Sequence, residues 1–379
     1  MRQDDDALQQ PYPDATPMAE RFGQAMGVVL PGVRELHRRV LADLDEKKLG
    51  IGWWAPHPGT SRRVLISDHL LACIDAVEKN LVEARLHLLE LRRVDEQLDA
   101  LIAHAVKHDA QGRPFVRTPP RVKPADDLPY ALAPLHMAGF FRAIGSALDC
   151  LGSSIVGVLA LPVSILKADL DRAIGALKKL SASSSEGGKL QMSFAADLTQ
   201  QIAAAGPPGW LPWATDYRNM LVHRGRRLEL SSLVPRGGNV LGPDERPIML
   251  ARAVRLLAQD PALSDVEMLL SMAGTAPVLT EDATTTLEGV MASAQTLCGT
   301  ASTALLDVWL KRRDQPALLL QPKEQWRDGR SSESRGFAGY KPGMAPFKPD
   351  QMVTDDTFLR RLKSAALDDG ARKKWDTFD

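Results

Sequence analysis

A chain of 379 residues with 44% apolar side chains can build a sizeable core, and 25% charged residues is ordinary for a folded domain. Its 47 basic and 47 acidic side chains cancel, which excludes a global field drawing it to nucleic acid and makes any polyanion-binding surface local. Aromatic residues, at 5%, are too few for a platform that stacks single-stranded bases.

The polar, acidic opening MRQDDDALQQ has no apolar run and does not read as a signal peptide. Pro11, Pro13 and Pro17 hold the start open, and one helix is expected from Met18 to Asp45, bent or broken at Pro31. With the loop GIGWWAPHPGTS it makes residues 1–61 an N-terminal helical arm. From Arg62 to Asp109, Leu70, Val77, Ala84, Leu91 and Leu98 recur every seven residues, with Ile74, Leu81, Leu88 and Ile102 beside them. That spacing predicts a helix seam about 60 Å long. The proline-rich GRPFVRTPPRVKPADDLP ends it as a long loop.

A second long helix is expected from Leu135 to Leu161, rich in Gly, Ala and Ser, where small side chains let backbones approach closely. The uncharged run from Cys150 to Leu166 is slightly short for a membrane span and reads as a buried core helix. Shorter helices are expected at 165–180 and 189–204, divided by SASSSEGG. GPPGWLP then breaks the chain. Residues 228–280 form a small mixed insertion, with turns at PRGG and GPDERP framing a hairpin and a capping box at Ser264 and Glu267. The last strong helix starts after Thr280, with Leu287, Val290, Ala294, Leu297, Ala301, Ala304 and Val308 on its seam. Lys311, Arg312 and Arg313 suit its C-terminal end. Residues 314–379 make a Gly/Pro-rich C-terminal tail. The fold class is all-α: a helical bundle over 62–313 with long antiparallel helices, the insertion and terminal extensions.

Cys73, Cys150 and Cys298 lie far apart in apolar helical stretches, which predicts reduced, buried thiols and a cytoplasmic location. His104 and His108 have the i, i+4 spacing of a helical metal pair but no evident third ligand, and read as a solvated helix face. SEGGKL lacks the residues of a phosphate-binding loop, and Ser164–Lys167 lacks the companion motifs of a serine–lysine hydrolase.

One constellation carries chemistry. WATDYRNMLVHRGRR places Arg218, Asn219 and His223 on one short helix, followed by Arg224, Arg226 and Arg227. Asn219 and His223, four apart, share a face, so the carboxamide can fix the orientation and tautomer of the ring. The reaction these residues suit is RNA cleavage by transesterification. A base removes the proton of the ribose 2′-OH, the oxygen attacks the adjacent phosphate, and an acid protonates the leaving 5′-oxygen. Histidine serves both proton transfers near neutral pH, and an arginine fork stabilises the charge gathering on phosphorus. Arg224, Arg226 and Arg227 suit neighbouring phosphates. The chemistry demands no metal, and no cofactor is expected.

RNMLVH resembles the Arg-x(4–6)-His motif of the HEPN superfamily, and FFRAIGSALDCLGSSI, with its aromatic–Arg start and Leu148–Asp149 pair, is similar to the central helix of many HEPN proteins. The resemblance covers residues 65–313. It implies an all-α bundle that forms a homodimer with two motifs facing one another. In active members it implies a metal-independent endoribonuclease, often in toxin–antitoxin or antiviral defence systems, with an antitoxin or regulatory protein as a further partner. By that resemblance Arg218 and His223 are catalytic, Asn219 assists, and Asp149 is a supporting polar partner. Two other readings stay open: an inactive HEPN bundle that binds RNA, nucleotide or a partner protein, and a scaffold whose long seams mediate helical assembly. Neither needs a membrane.

Overall fold

The computed structural model describes residues 16–43, 60–108, 114–116, 124–180, 185–223, 230–241, 247–271, 277–319, 337 and 339–341. The chain folds as an all-α helical bundle with a two-stranded insertion. The N-terminal helix expected to bend or break at Pro31 is broken into α1 (Thr16–Ala25) and α2 (Pro31–Asp43), and Pro31 opens α2, where its missing N–H costs little. Helix α3 (Thr60–Ala105) is followed by a short antiparallel pair: β1 (Val106–His108), where the sequence predicts the end of the helix, and β2 (Pro114–Val116), inside the stretch expected to be loop. His104 therefore ends a helix while His108 lies in a strand, so the two do not share a helix face.

Helix α4 (Pro124–Val158) begins eleven residues before the expected start and accommodates Pro129 and Pro134. Each proline removes one backbone donor, which the burial of Ala133, Met137, Phe140 and Phe141 offsets. Within α4, Leu128–Val158 is long and apolar enough to cross a membrane, and 72% of its most apolar window is buried inside the protein. Then come α5 (Leu170–Lys178), α6 (Glu186–Ala205) and α7 (Trp210–His223). Strands β3 (Leu230–Leu241) and β4 (Pro247–Leu256) form the expected hairpin, but PRGG is no turn: it lies inside β3, where the register shifts between Pro235 and Asn239. Helix α8 (Asp265–Ser271) carries the capping box. There Glu267 accepts from the Ser264 amide (2.8 Å) and hydroxyl (2.7 Å), and its own amide donates back to the hydroxyl at 3.3 Å. Helix α9 (Ala283–Asp314) closes the bundle.

The heptad residues Leu70, Val77, Ala84, Leu91 and Leu98 are all buried, as are Leu287, Val290, Ala294, Leu297, Ala301 and Val308 of the α9 seam. The chain divides into two compact units. The first comprises Met1–Val29, Lys79–Ser146 and Ala205–Gln295. In it Arg21 pairs with Glu90, Arg92 with Glu288, and Arg255 with Asp95 at 3.2 Å. The Nδ1 atoms of His87 on α3 and His136 on α4 meet at 3.1 Å, and Glu83 accepts from Arg142 at 3.2 Å.

The second unit comprises Leu30–Glu78, Ala147–Ala204 and Thr296–Asp379. Helix α2 belongs to it through buried Val33, Leu36 and Val40, and through Glu78, which accepts from the Leu30 amide (2.9 Å) and the Arg34 guanidinium. The small residues of α4 do what their size allows. A Cβ on Gly152 would stand 2.3 Å from backbone atoms of Asp169 and Leu170, so α5 starts directly against α4. Arg312 departs from the expected role at its own helix end. It is fully buried and donates to the carbonyls of Gly157 (2.8 Å) and Val158 (2.9 Å), capping α4. Ala160, at φ 52°, turns the chain out of α4 in the left-handed region usually left to glycine.

Candidate active site on helix α7

Helix α7 forms at Trp210 for local reasons. Gly209, at φ 84°, supplies the left-handed residue that turns GPPG into a helix start, and the Trp210 amide bonds back to Pro207 at 3.1 Å. Pro212 sits in the first turn, where a missing N–H costs little. Trp210, Ala214, Tyr217 and Met220 recur at helical spacing and are buried, while Asp216 and Val222 are exposed.

An aromatic cluster fixes α7 to α4 inside the first unit. The Tyr217 ring stacks on Phe141 with centroids 4.6 Å apart and 21° between planes. Trp213 meets Phe141 edge-on at 5.9 Å and Tyr217 at 5.0 Å, and Phe140 lies edge-on to Phe141 at 5.3 Å. Such pairs contribute about 0.5–1.5 kcal/mol each beyond their buried area. The indole N–H of Trp213 donates to the Ala258 carbonyl at 3.2 Å, tying the helix to the chain leaving β4.

Arg218 follows Tyr217 and lies along α4. A Cβ on Gly145 would stand 2.8 Å from its Nε, 3.1 Å from Cδ and 3.2 Å from Cγ, so the bare backbone of Gly145 is what gives the side chain its place. Its Nη1 points to the Asn219 Oδ1 at 3.5 Å, a long hydrogen bond, and both residues are half-buried. The carboxamide expected to orient a histidine thus faces the arginine. His223 comes one turn after Asn219 as the last residue of α7, and the position of its ring lies outside the described residues. Arg224, Arg226 and Arg227 also lie outside them. Asp149, on α4 four residues beyond Gly145, is half-buried and belongs to the second compact unit, whereas Arg218, Asn219 and His223 belong to the first.

The structure therefore brings Arg218 and Asn219 together and lays Arg218 on the helix that the sequence singled out with it. The positioning residues that sequence reasoning passed over are Gly145, Phe141, Trp213 and Tyr217. The i, i+4 spacing of Trp213 and Tyr217 and a glycine inside an otherwise strong helix were the available signals. Among the described residues no group of three or more His, Cys, Asp or Glu is arranged to hold a metal ion. No family model, curated protein or solved structure matches the chain, so the HEPN resemblance rests on the Arg218–His223 motif and the helix over 140–155.

Proposed function

We propose that the chain is a metal-independent endoribonuclease of HEPN type, cutting RNA by 2′-OH transesterification at a site shared by two copies. His223 takes the 2′-OH proton, and the same residue of the second copy protonates the leaving 5′-oxygen. Arg218 stabilises the charge on the phosphorus centre, Asn219 holds the guanidinium, and Arg224, Arg226 and Arg227 bind flanking phosphates.

One observation carries this reading: Arg218 lies against Gly145 within the first compact unit, so the motif helix meets the start of the second segment that resembles HEPN proteins. An arginine whose stem is set by a neighbouring helix keeps its fork in place without reorganising, which is what transition-state stabilisation requires. The half-buried state of Arg218 also favours a second reading, in which the arginine is a packing residue and the bundle binds RNA without cutting it.

The test is incubation of the purified chain with labelled RNA in chelator, beside the His223→Ala variant and a DNA copy of the substrate. Cleavage of RNA alone, with 2′,3′-cyclic phosphate ends and a loss of about a hundredfold or more in His223→Ala, is expected. Undiminished cleavage by the variant overturns the assignment, and binding without cleavage by either protein establishes the second reading.

A further inference from the structure

Two of the three thiols meet in the second compact unit, where the proposed RNA chemistry has no use for them. Cys73 on α3 is hydrogen-bonded to Cys150 on α4, and its Sγ lies 3.4 Å from Nε2 of His69, one turn earlier on α3. Cys73 is nearly buried and Cys150 half-buried. The hydrogen bond from Cys150, then the His69 ring, draw the Cys73 thiol down to about 5, while the same contact and burial push Cys150 up. His69 is raised, first by its hydrogen bond with Cys73. Cys73 thus stands between an imidazole and a second thiol, two contacts that favour its thiolate. Cys298 serves as the internal contrast: it is fully buried, and burial alone pushes it up to about 12. Cysteines that only fill a core need no histidine and no second sulfur.

We propose that Cys73 and Cys150 form a peroxide-responsive thiol pair that closes to a reversible disulfide joining α3 to α4. The Cys73 thiolate attacks the terminal oxygen of a hydroperoxide. The O–O bond breaks, and the departing alkoxide takes the proton of His69, leaving a sulfenic acid on Cys73 and an alcohol. Neutral His69 then receives the Cys150 proton, and the Cys150 sulfur attacks the Cys73 sulfur. The S–O bond breaks and hydroxide leaves with that proton as water. Two thiols lose two electrons in all, and the peroxide is reduced to alcohol and water.

The experiment treats the full chain with graded hydrogen peroxide, followed by digestion without reductant and mass spectrometry. A linked Cys73–Cys150 peptide, loss of two titratable thiols per chain and reversal by dithiothreitol are expected. Cys150→Ser should stop at a sulfenic acid on Cys73, captured as a dimedone adduct. Alkylation of the untreated native chain by iodoacetamide at mildly acidic pH needs no variant. Cys73 should react about tenfold or more faster than Cys298. Equal rates for the two, or oxidation that yields no Cys73–Cys150 peptide, overturn the proposal.

Discussion

Gly145→Ala separates the placement of Arg218 from the stability of the fold. The new methyl would lie 2.8 Å from Nε, and an ordinary contact starts at 3.4 Å, so the arginine must retreat by about 0.6 Å. Nε lies far along a flexible side chain, and its displacement costs about 1 kcal/mol. Replacing glycine by alanine inside α4 returns about 1 kcal/mol of helix propensity, so the net change in stability is near zero. Misplacing a catalytic group by about 1 Å lowers rates by about a hundredfold, which puts the expected loss of RNA cleavage at about tenfold or more. Gly152→Ala is the comparator. Its methyl would fall 2.3 Å from backbone atoms of Asp169 and Leu170 that cannot swing aside, and a loss of about 2–3 kcal/mol is expected. Urea unfolding and single-turnover cleavage measure both. Full cleavage activity in Gly145→Ala would refute the claim that Arg218 acts from its seat on α4, and unfolding as severe as that of Gly152→Ala would refute the claim that the arginine can yield.

Two further perturbations read the packing directly. Arg312→Met removes two charge-assisted hydrogen bonds from the last carbonyls of α4, and urea unfolding should show a loss of about 3 kcal/mol, only partly restored in Arg312→Lys. The His87–His136 pair should make the protein acid-sensitive. Burial foremost holds both rings below the ordinary histidine value of 6.5; for His87, the His136 charge adds to this and Glu83 opposes it, whereas Glu90 opposes it for His136. The unfolded chain therefore takes up these protons first, so stability is full above 6.5 and falls as pH drops through that value towards the folded pKa values. Melting temperatures from about pH 7 to about pH 5 should fall less in His136→Asn. His69, raised in the fold, has the opposite sign: its contribution is complete below 6.5 and is lost as pH rises through the folded value.

The helices were legible because each signal was local. The seven-residue seam of α3, the break before Pro31 and the reciprocal Ser264–Glu267 cap depend on residues within one or two turns of each other. The misread segments are those where a tertiary contact overrides a local cue. Prolines at 129 and 134 argue against a helix, yet α4 runs through them on the strength of its buried face. Strands of three residues, β1 and β2, are too short to show alternation. PRGG has the composition of a turn, but the hairpin uses it as an irregularity inside β3. Arg312 fits a dipole argument at its own helix end, and its partners are 154 and 155 residues away in sequence.

The candidate site shows the same division more sharply. Arg218, Asn219 and His223 are conspicuous because their spacing carries chemistry, whereas the residues that seat Arg218 are a glycine and aromatic rings without reactive groups. In a chain with no net charge, an arginine gains leverage on a phosphate by being fixed and partly desolvated rather than by belonging to a general positive field. Gly145 supplies the space for that, and the stacking of Tyr217 on Phe141 supplies the rigidity. Enlarging Gly145 and removing the Tyr217 ring should therefore impair the same function through opposite changes, one by crowding the arginine and the other by loosening the helix that carries it. A motif of polar residues names the chemistry, but the apolar residues one turn away decide whether it has a place to act.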